Sequence, residues 1–241
     1  MYLSLQPDDR SAEVAQLLAD FETRFPAQGD LLSQALRLRL VALRETGDLA
    51  EAERIVKAHG EVLAADPNQE ALERLAAAFN KAGARYKGAG DAQNAQQADR
   101  VALALFAIVS GPEGAAGGRR KLTMAQLYES TGDLDQAAST FSEILQDNPN
   151  SLASLNGLAR IAEKKSDTKA ALDFWKRYTE VAKPGDAPWY RGHYQQARLV
   201  FASGDGKRSC EMLTELRPAI PGLGDAELRR QLSELYKQVC G

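Results

Sequence analysis

The side chains best able to do chemistry in this 241-residue chain are two cysteines, two histidines and a broad scatter of acids and arginines. Cys210 and Cys240 lack the close cysteine or histidine spacing of a zinc site, and His59 and His193 lie far apart in sequence. Two readings of the cysteines stay open. They are buried thiols, the usual state in a cytoplasmic helical protein. Or they form a disulfide that staples the last helix to the one before it, closing about 30 residues and contributing roughly 3–4 kcal/mol. The disulfide goes with export to an extracytoplasmic, periplasmic or envelope setting, and free thiols go with the cytoplasm. Residues 204–209, GDGKRS, have the outline of a phosphate loop. However, Phe201 stands where its first glycine belongs, and Arg208 where Ser or Thr would hold magnesium. No nucleophile elbow, HExxH or dinucleotide fingerprint is present. The carboxylates fall on solvated helix faces instead of gathering in pairs. No catalytic residue, metal or cofactor is expected, and the chain reads as a non-enzyme. The triplet Arg119, Arg120 and Lys121 offers an anion spot, but its plainer reading is a solvated helix start.

The elements that position these residues are helices. Hydrophobic residues make up 44% of the chain but aromatics only 7%, so alanine and leucine dominate, which favours helices over sheet. No strand-like alternation appears. A net charge of -3 argues against a general nucleic-acid binder. The longest apolar run, 101–109, is far short of the roughly 20 residues of a membrane span. The opening MYLSLQPDDR has no basic n-region or apolar h-region, so no signal peptide is expected in it.

The most regular stretch is 121–149. Met124, Ala125 and Tyr128 precede a Gly132–Asp133 turn. Ala137, Phe141, Ile144 and Leu145 follow it, and Pro149 stops the second helix. Tyr128, Ala137, Phe141 and Pro149 fill the slots of a repeat of about 34 residues, so the stretch resembles the tetratricopeptide family. The resemblance covers most of the chain, strongly over 118–184 and weakly over 69–111. It implies an all-α, right-handed α-solenoid of antiparallel helix pairs with a C-terminal capping helix.

Turns at Gly47–Asp48, Gly90–Asp91, Gly132–Asp133, Ser166–Asp167 and Gly204–Asp205 mark the units; their steps are 43, 42, 34 and 38 residues. The expected organisation is a longer-period half over 1–110, a glycine-rich joint at 111–118 and a regular half over 119–241, capped by a helix at 225–239. Residues 11–25 read as one amphipathic helix, with Val14, Leu17, Leu18, Phe21 and Phe25 on its apolar face. It resembles the second helix of a unit whose first is missing, so the chain is expected to be a fragment of a longer array. The second helix after Asp48 is expected to run one turn long. Gln196 and Ser209 fit their slots poorly, and Trp175 is expected in the core.

In tetratricopeptide arrays the first helix of each pair lines a concave groove that holds a peptide or a partner helix. Carried over by position, the groove residues are Arg37, Val41 and Arg44; Arg119, Leu122, Gln126 and Glu129; Ala153, Asn156, Arg160 and Glu163; and Arg191, Tyr194, Arg198 and Phe201. Arginine binds carboxylates bidentately and stacks on rings. The resemblance therefore implies a non-catalytic scaffold for a protein or peptide partner with an acidic or C-terminal carboxylate segment, in a bacterial cell-envelope assembly if the disulfide forms. Alternatives are an accessory region of a larger enzyme or polysaccharide-export system, and a self-associating homo-oligomer. The Lys/Asn/Arg clamp of chaperone-tail receptors is not reproduced.

Overall fold

The computed structural model describes residues 7–24, 29–109 and 115–241. Its local logic lies in the turns. Gly47, Gly90, Gly132 and Gly204 have φ between 78° and 93°, and Ser166 has φ 59°. Each is a left-handed residue that ends one helix. The next residue, an aspartate, starts another. The N–H groups of Asp91, Asp133 and Asp167 each donate at 2.9 Å to the carbonyls of Tyr86, Tyr128 and Ala162, closing the helix end. The side chains of Asp48, Asp91, Asp167 and Asp205 then accept from the N–H groups of Glu51, Asn94, Ala170 and Arg208, capping the following helix.

The chain forms two compact units, Met1–Asp133 and Leu134–Gly241. The division lies after the 132–133 turn. Residues 111–114 of the stretch expected as a joint lie outside the described residues, and 115–118 form the first turn of a helix. The two helices of the 121–149 repeat thus belong to different units.

The first unit contains α1 (Pro7–Leu17), α2 (Phe21–Arg24), α3 (Gly29–Thr46), α4 (Leu49–Ala58), α5 (Gly60–Ala64), α6 (Gln69–Gly88), α7 (Ala92–Ile108) and α8 (Ala115–Thr131). One helix over 11–25 is not what forms. Tight hydrogen bonds from Ala19 N–H to the Gln16 carbonyl and from Phe21 N–H to the Leu18 carbonyl break it into α1 and α2. Leu17, expected on the apolar face, is 78% exposed. Phe25 lies outside the described residues. The long second helix of the next unit is also broken. It divides at His59 (φ -125°, ψ 26°), just before Gly60, into α4 and α5. Pairs α3/α4 and α6/α7 bury Leu36, Leu40, Ile55, Leu72, Phe79 and Leu105 in one core, which Leu127 of α8 joins.

The second unit contains α9 (Leu134–Asp147), α10 (Leu152–Lys164), α11 (Thr168–Val181), α12 (Ala187–Ala202), α13 (Gly206–Leu216), a 3-10 turn (Arg217–Gly222) and α14 (Ala226–Cys240). Consecutive helices approach closely where glycine faces a bulky neighbour. A Cβ on Gly157 of α10 would lie 2.4 Å from the Phe141 ring of α9, and one on Gly192 of α12 would lie 2.4 Å from the Thr179 methyl of α11. Trp175 is 1% exposed, the core position expected for it. The poorly matching Gln196 and Ser209 have a polar purpose. Gln196 Nε2 donates to the Thr179 hydroxyl (3.2 Å) and the Trp175 carbonyl (3.3 Å). Buried Ser209 donates through Oγ to the Ala197 carbonyl at 2.8 Å. The final helix α14 buries Leu228, Leu232 and Leu235 and turns Glu227, Arg230 and Glu234 outward, as an array's terminal helix must. Cys210 of α13 and Cys240 of α14 are joined by a disulfide, with Cα atoms 5.3 Å apart.

Candidate partner-binding surface

In the second unit the candidate face is built on α10 and α12, the first helices of successive pairs, and on the start of the terminal helix α14. Glu163, near the end of α10, is its hinge point. Its Oε1 accepts from the buried Trp175 indole N–H at 2.8 Å. Its other oxygen accepts from the Arg198 guanidinium of α12. Arg198 Nε donates to Gln195 at 2.8 Å. One carboxylate therefore anchors to the core and holds the neighbouring first helix. The next step is made by Arg191 of α12, whose Nη2 lies 3.2 Å from Asp225 Oδ2 at the cap of α14. The Leu228 N–H bond and then the Arg191 charge hold the Asp225 carboxyl below its ordinary range. On α10, Arg160 Nη1 donates to Asn156 Oδ1 at 2.8 Å. Tyr194 and Phe201 are half-buried and pack on the core around Leu213 and Leu232. The residues at these positions thus form three polar pairs: Asn156 with Arg160, Glu163 with Arg198, and Arg191 with Asp225.

In the first unit, Arg37 Nε donates at 3.2 Å to Asp66, a carboxylate that is 2% exposed and also accepts from the Asn68 N–H at 2.7 Å. Arg44 Nε donates at 3.0 Å to its neighbour Glu45. Arg119 and Gln126 of α8 are exposed. The Arg119–Lys121 triplet does not act as a unit: Arg120 is largely buried, donating to the Val109 carbonyl at 3.0 Å. Sequence reasoning missed Asp66 and Asp225 as partners of Arg37 and Arg191, since those pairs span 29 and 34 residues, and the local contact of Arg198 with Gln195. It also missed the exposed Leu31 and Leu38 of α3. A signal was present. The apolar stripe of α3 is Leu32, Leu36, Leu40 and Leu43, and the remaining leucines and Val41 are out of phase with it.

A shallow pocket of about 490 Å³ opens among α1, α3 and α4, with Arg39, Thr46, Asp48 and Glu51 among its lining. Arg39 is buried and pairs with Glu51 at 2.6 Å, and its Nε has no hydrogen-bond partner among the described residues. His193 is half-buried, with its ring centroid 4.1 Å from that of Trp189; burial lowers its pKa, and Glu215 opposes the shift. Burial raises the Asp99 carboxyl, against a hydrogen bond from Ser130 and the Lys87 charge. Among the described residues no cluster of three or more His, Cys, Asp or Glu side chains could hold a metal. No described helix is long and apolar enough to cross a membrane.

No protein-family profile matches the chain. No curated protein matches it either. Its structure is similar to the crystal structure of BtubC (BKLC) from P. vanneervenii, at 13% identity over 91% of each chain and a TM-score of 0.50. It is also similar to YrrB, described as a TPR protein with an unusual peptide-binding site, at 16% identity over 90% of this chain and 98% of that one, TM-score 0.46. A third is the TPR2AB domain of yeast Sti1 in complex with pHSP90, at 14% identity over 98% and 96%, TM-score 0.45. The fold is tetratricopeptide-like. At these identities the likeness concerns the fold alone.

Proposed function

We propose that the chain is a non-catalytic protein–protein interaction scaffold that holds a peptide or protein partner on the exposed faces of its first helices. The observation that carries this reading is the Trp175–Glu163–Arg198 relay with the Arg191–Asp225 bridge. Together they lock α10, α12 and α14 into one preorganised polar row. Side chains fixed in this way lose less entropy on binding. The arginines arrive already paired, so a partner's carboxylate must compete with Glu163 and Asp225 or share their guanidinium forks. Selection of an acidic or carboxylate-bearing segment fits that arrangement. The disulfide between α13 and α14 suits an oxidising, extracytoplasmic setting such as a cell envelope.

The test is a partner isolated by affinity capture and then titrated against the intact chain. With Arg160, Arg191 and Arg198 all replaced by alanine, the dissociation constant is expected to rise about tenfold or more, from lost charge-assisted bonds of about 1.5 kcal/mol or more. Unchanged affinity in a folded triple variant would sink the reading.

A further inference from the structure

The exposed large hydrophobic side chains of the described residues are Leu17, Leu31, Leu38 and Val41, with Leu31, Leu38 and Val41 on α3 at 49%, 53% and 37% exposure. The three recur at steps of seven and three residues, so they form one stripe that no described helix covers. Beside α3 packs α6. Counted back from the turn glycines Gly47 and Gly90, Leu31 corresponds to Arg74 and Leu38 to Lys81. The two helices therefore present matching positions to the same side, apolar on α3 and cationic on α6. Arg74 is paired with Glu70 at 2.5 Å. Lys81 and Arg85, one turn apart, are exposed and have no ion-pair partner among the described residues. In the second unit, by contrast, Arg191 and Arg198 are already neutralised from within.

We propose that this face of the first unit docks an acidic amphipathic helix of the partner. Its apolar side chains cover Leu31, Leu38 and Val41, and its carboxylates meet Lys81 and Arg85. The spacing favours a helix. Leu31, Leu38 and Val41 are spread over roughly 15 Å along α3, the pitch at which a second helix sets out residues at i, i+7 and i+10. The complementary charge selects the sign: an apolar ligand bearing lysine would meet like charge on α6. The inference rests on the reading that first-helix faces hold the partner, and it adds the partner's amphipathic helical form and the unit that reads it.

The probe is a fluorescein-labelled peptide of about 16 residues, with leucines at helical spacing and glutamate and alanine elsewhere, titrated by anisotropy against the whole chain. Binding is expected, and an isomer of the same composition with scrambled leucines should bind at least about tenfold more weakly. Leu38→Glu and the double change Lys81→Glu with Arg85→Glu should each weaken binding about tenfold or more. The charge variant should also lose most of the salt dependence. All these side chains are exposed, so circular dichroism should be unchanged. Equal binding of the two peptides, wild-type affinity in both variants, or no binding by the wild-type chain would overturn the proposal. So would a concentration-dependent dimer that Leu38→Glu abolishes, since a second copy would then be the occupant. A captured partner that Arg160, Arg191 and Arg198 substitutions release, but Leu38→Glu does not, would refute this inference and leave the scaffold function standing.

Discussion

Ser166→Gly is expected to stabilise the protein. Ser166 ends α10 with φ 59°, the position that glycine fills at 47, 90, 132 and 204. An L-residue pays roughly 1–2 kcal/mol to sit in the left-handed region. Glycine removes that cost but adds about 0.4–1 kcal/mol of unfolded-chain entropy. The Ser166 side chain is exposed and makes no hydrogen bond among the described residues, so its loss removes no contact. The turn's own bond, Asp167 N–H to the Ala162 carbonyl at 2.9 Å, is kept. The net gain is about 0.5–1 kcal/mol, worth roughly 2–5 °C in the melting temperature of the unit that contains it. Calorimetry on the whole chain is the assay, because it separates the transitions where the units unfold independently. The converse change, Gly204→Ala at φ 93°, should cost about 1–2 kcal/mol. A lower melting temperature for Ser166→Gly, or no loss for Gly204→Ala, would refute the reasoning about these turns.

Gly157→Ala should destabilise the second unit by about 1–3 kcal/mol in thermal unfolding, because its Cβ meets the Phe141 ring at 2.4 Å. Denatured, unreduced protein should show no titratable thiol. Cys210→Ser with Cys240→Ser should lower stability by about 3 kcal/mol by denaturant melt, for a closed loop of sequence separation 30. His193 is held below its ordinary value of 6.5 chiefly by burial, so the folded state favours neutral imidazole. Its stabilisation is complete above that value and lost as pH falls through the depressed pKa. His193→Gln should flatten the fall of the melting temperature as pH drops below 6.5.

The helices were legible in the sequence because each boundary carries its own chemistry: an aspartate after a left-handed residue and an apolar stripe between. Ser166 was readable as a glycine substitute for that reason. The breaks within 11–25 and at His59 were not, since each occurs inside a segment whose apolar spacing stays helical. Gln196 and Ser209 looked like misfits by residue type, and only their distant acceptors explain them. Of the candidate surface, the arginine positions could be carried over from the repeat frame. So could Glu163, but its pairing with Arg198 and the Arg191–Asp225 pair could not, because both are made across helices. The exposed face of α3 was visible as leucines out of phase with the buried stripe, a signal that pattern matching to the core alone passes over.

Hydrogen–deuterium exchange of the intact chain with and without its captured partner tests the central claim most directly. Protection is expected to concentrate on first helices, α10 and α12 in the second unit and α3 and α6 in the first. Protection confined to α11 and α13, with α3, α6, α10 and α12 unchanged, would contradict it.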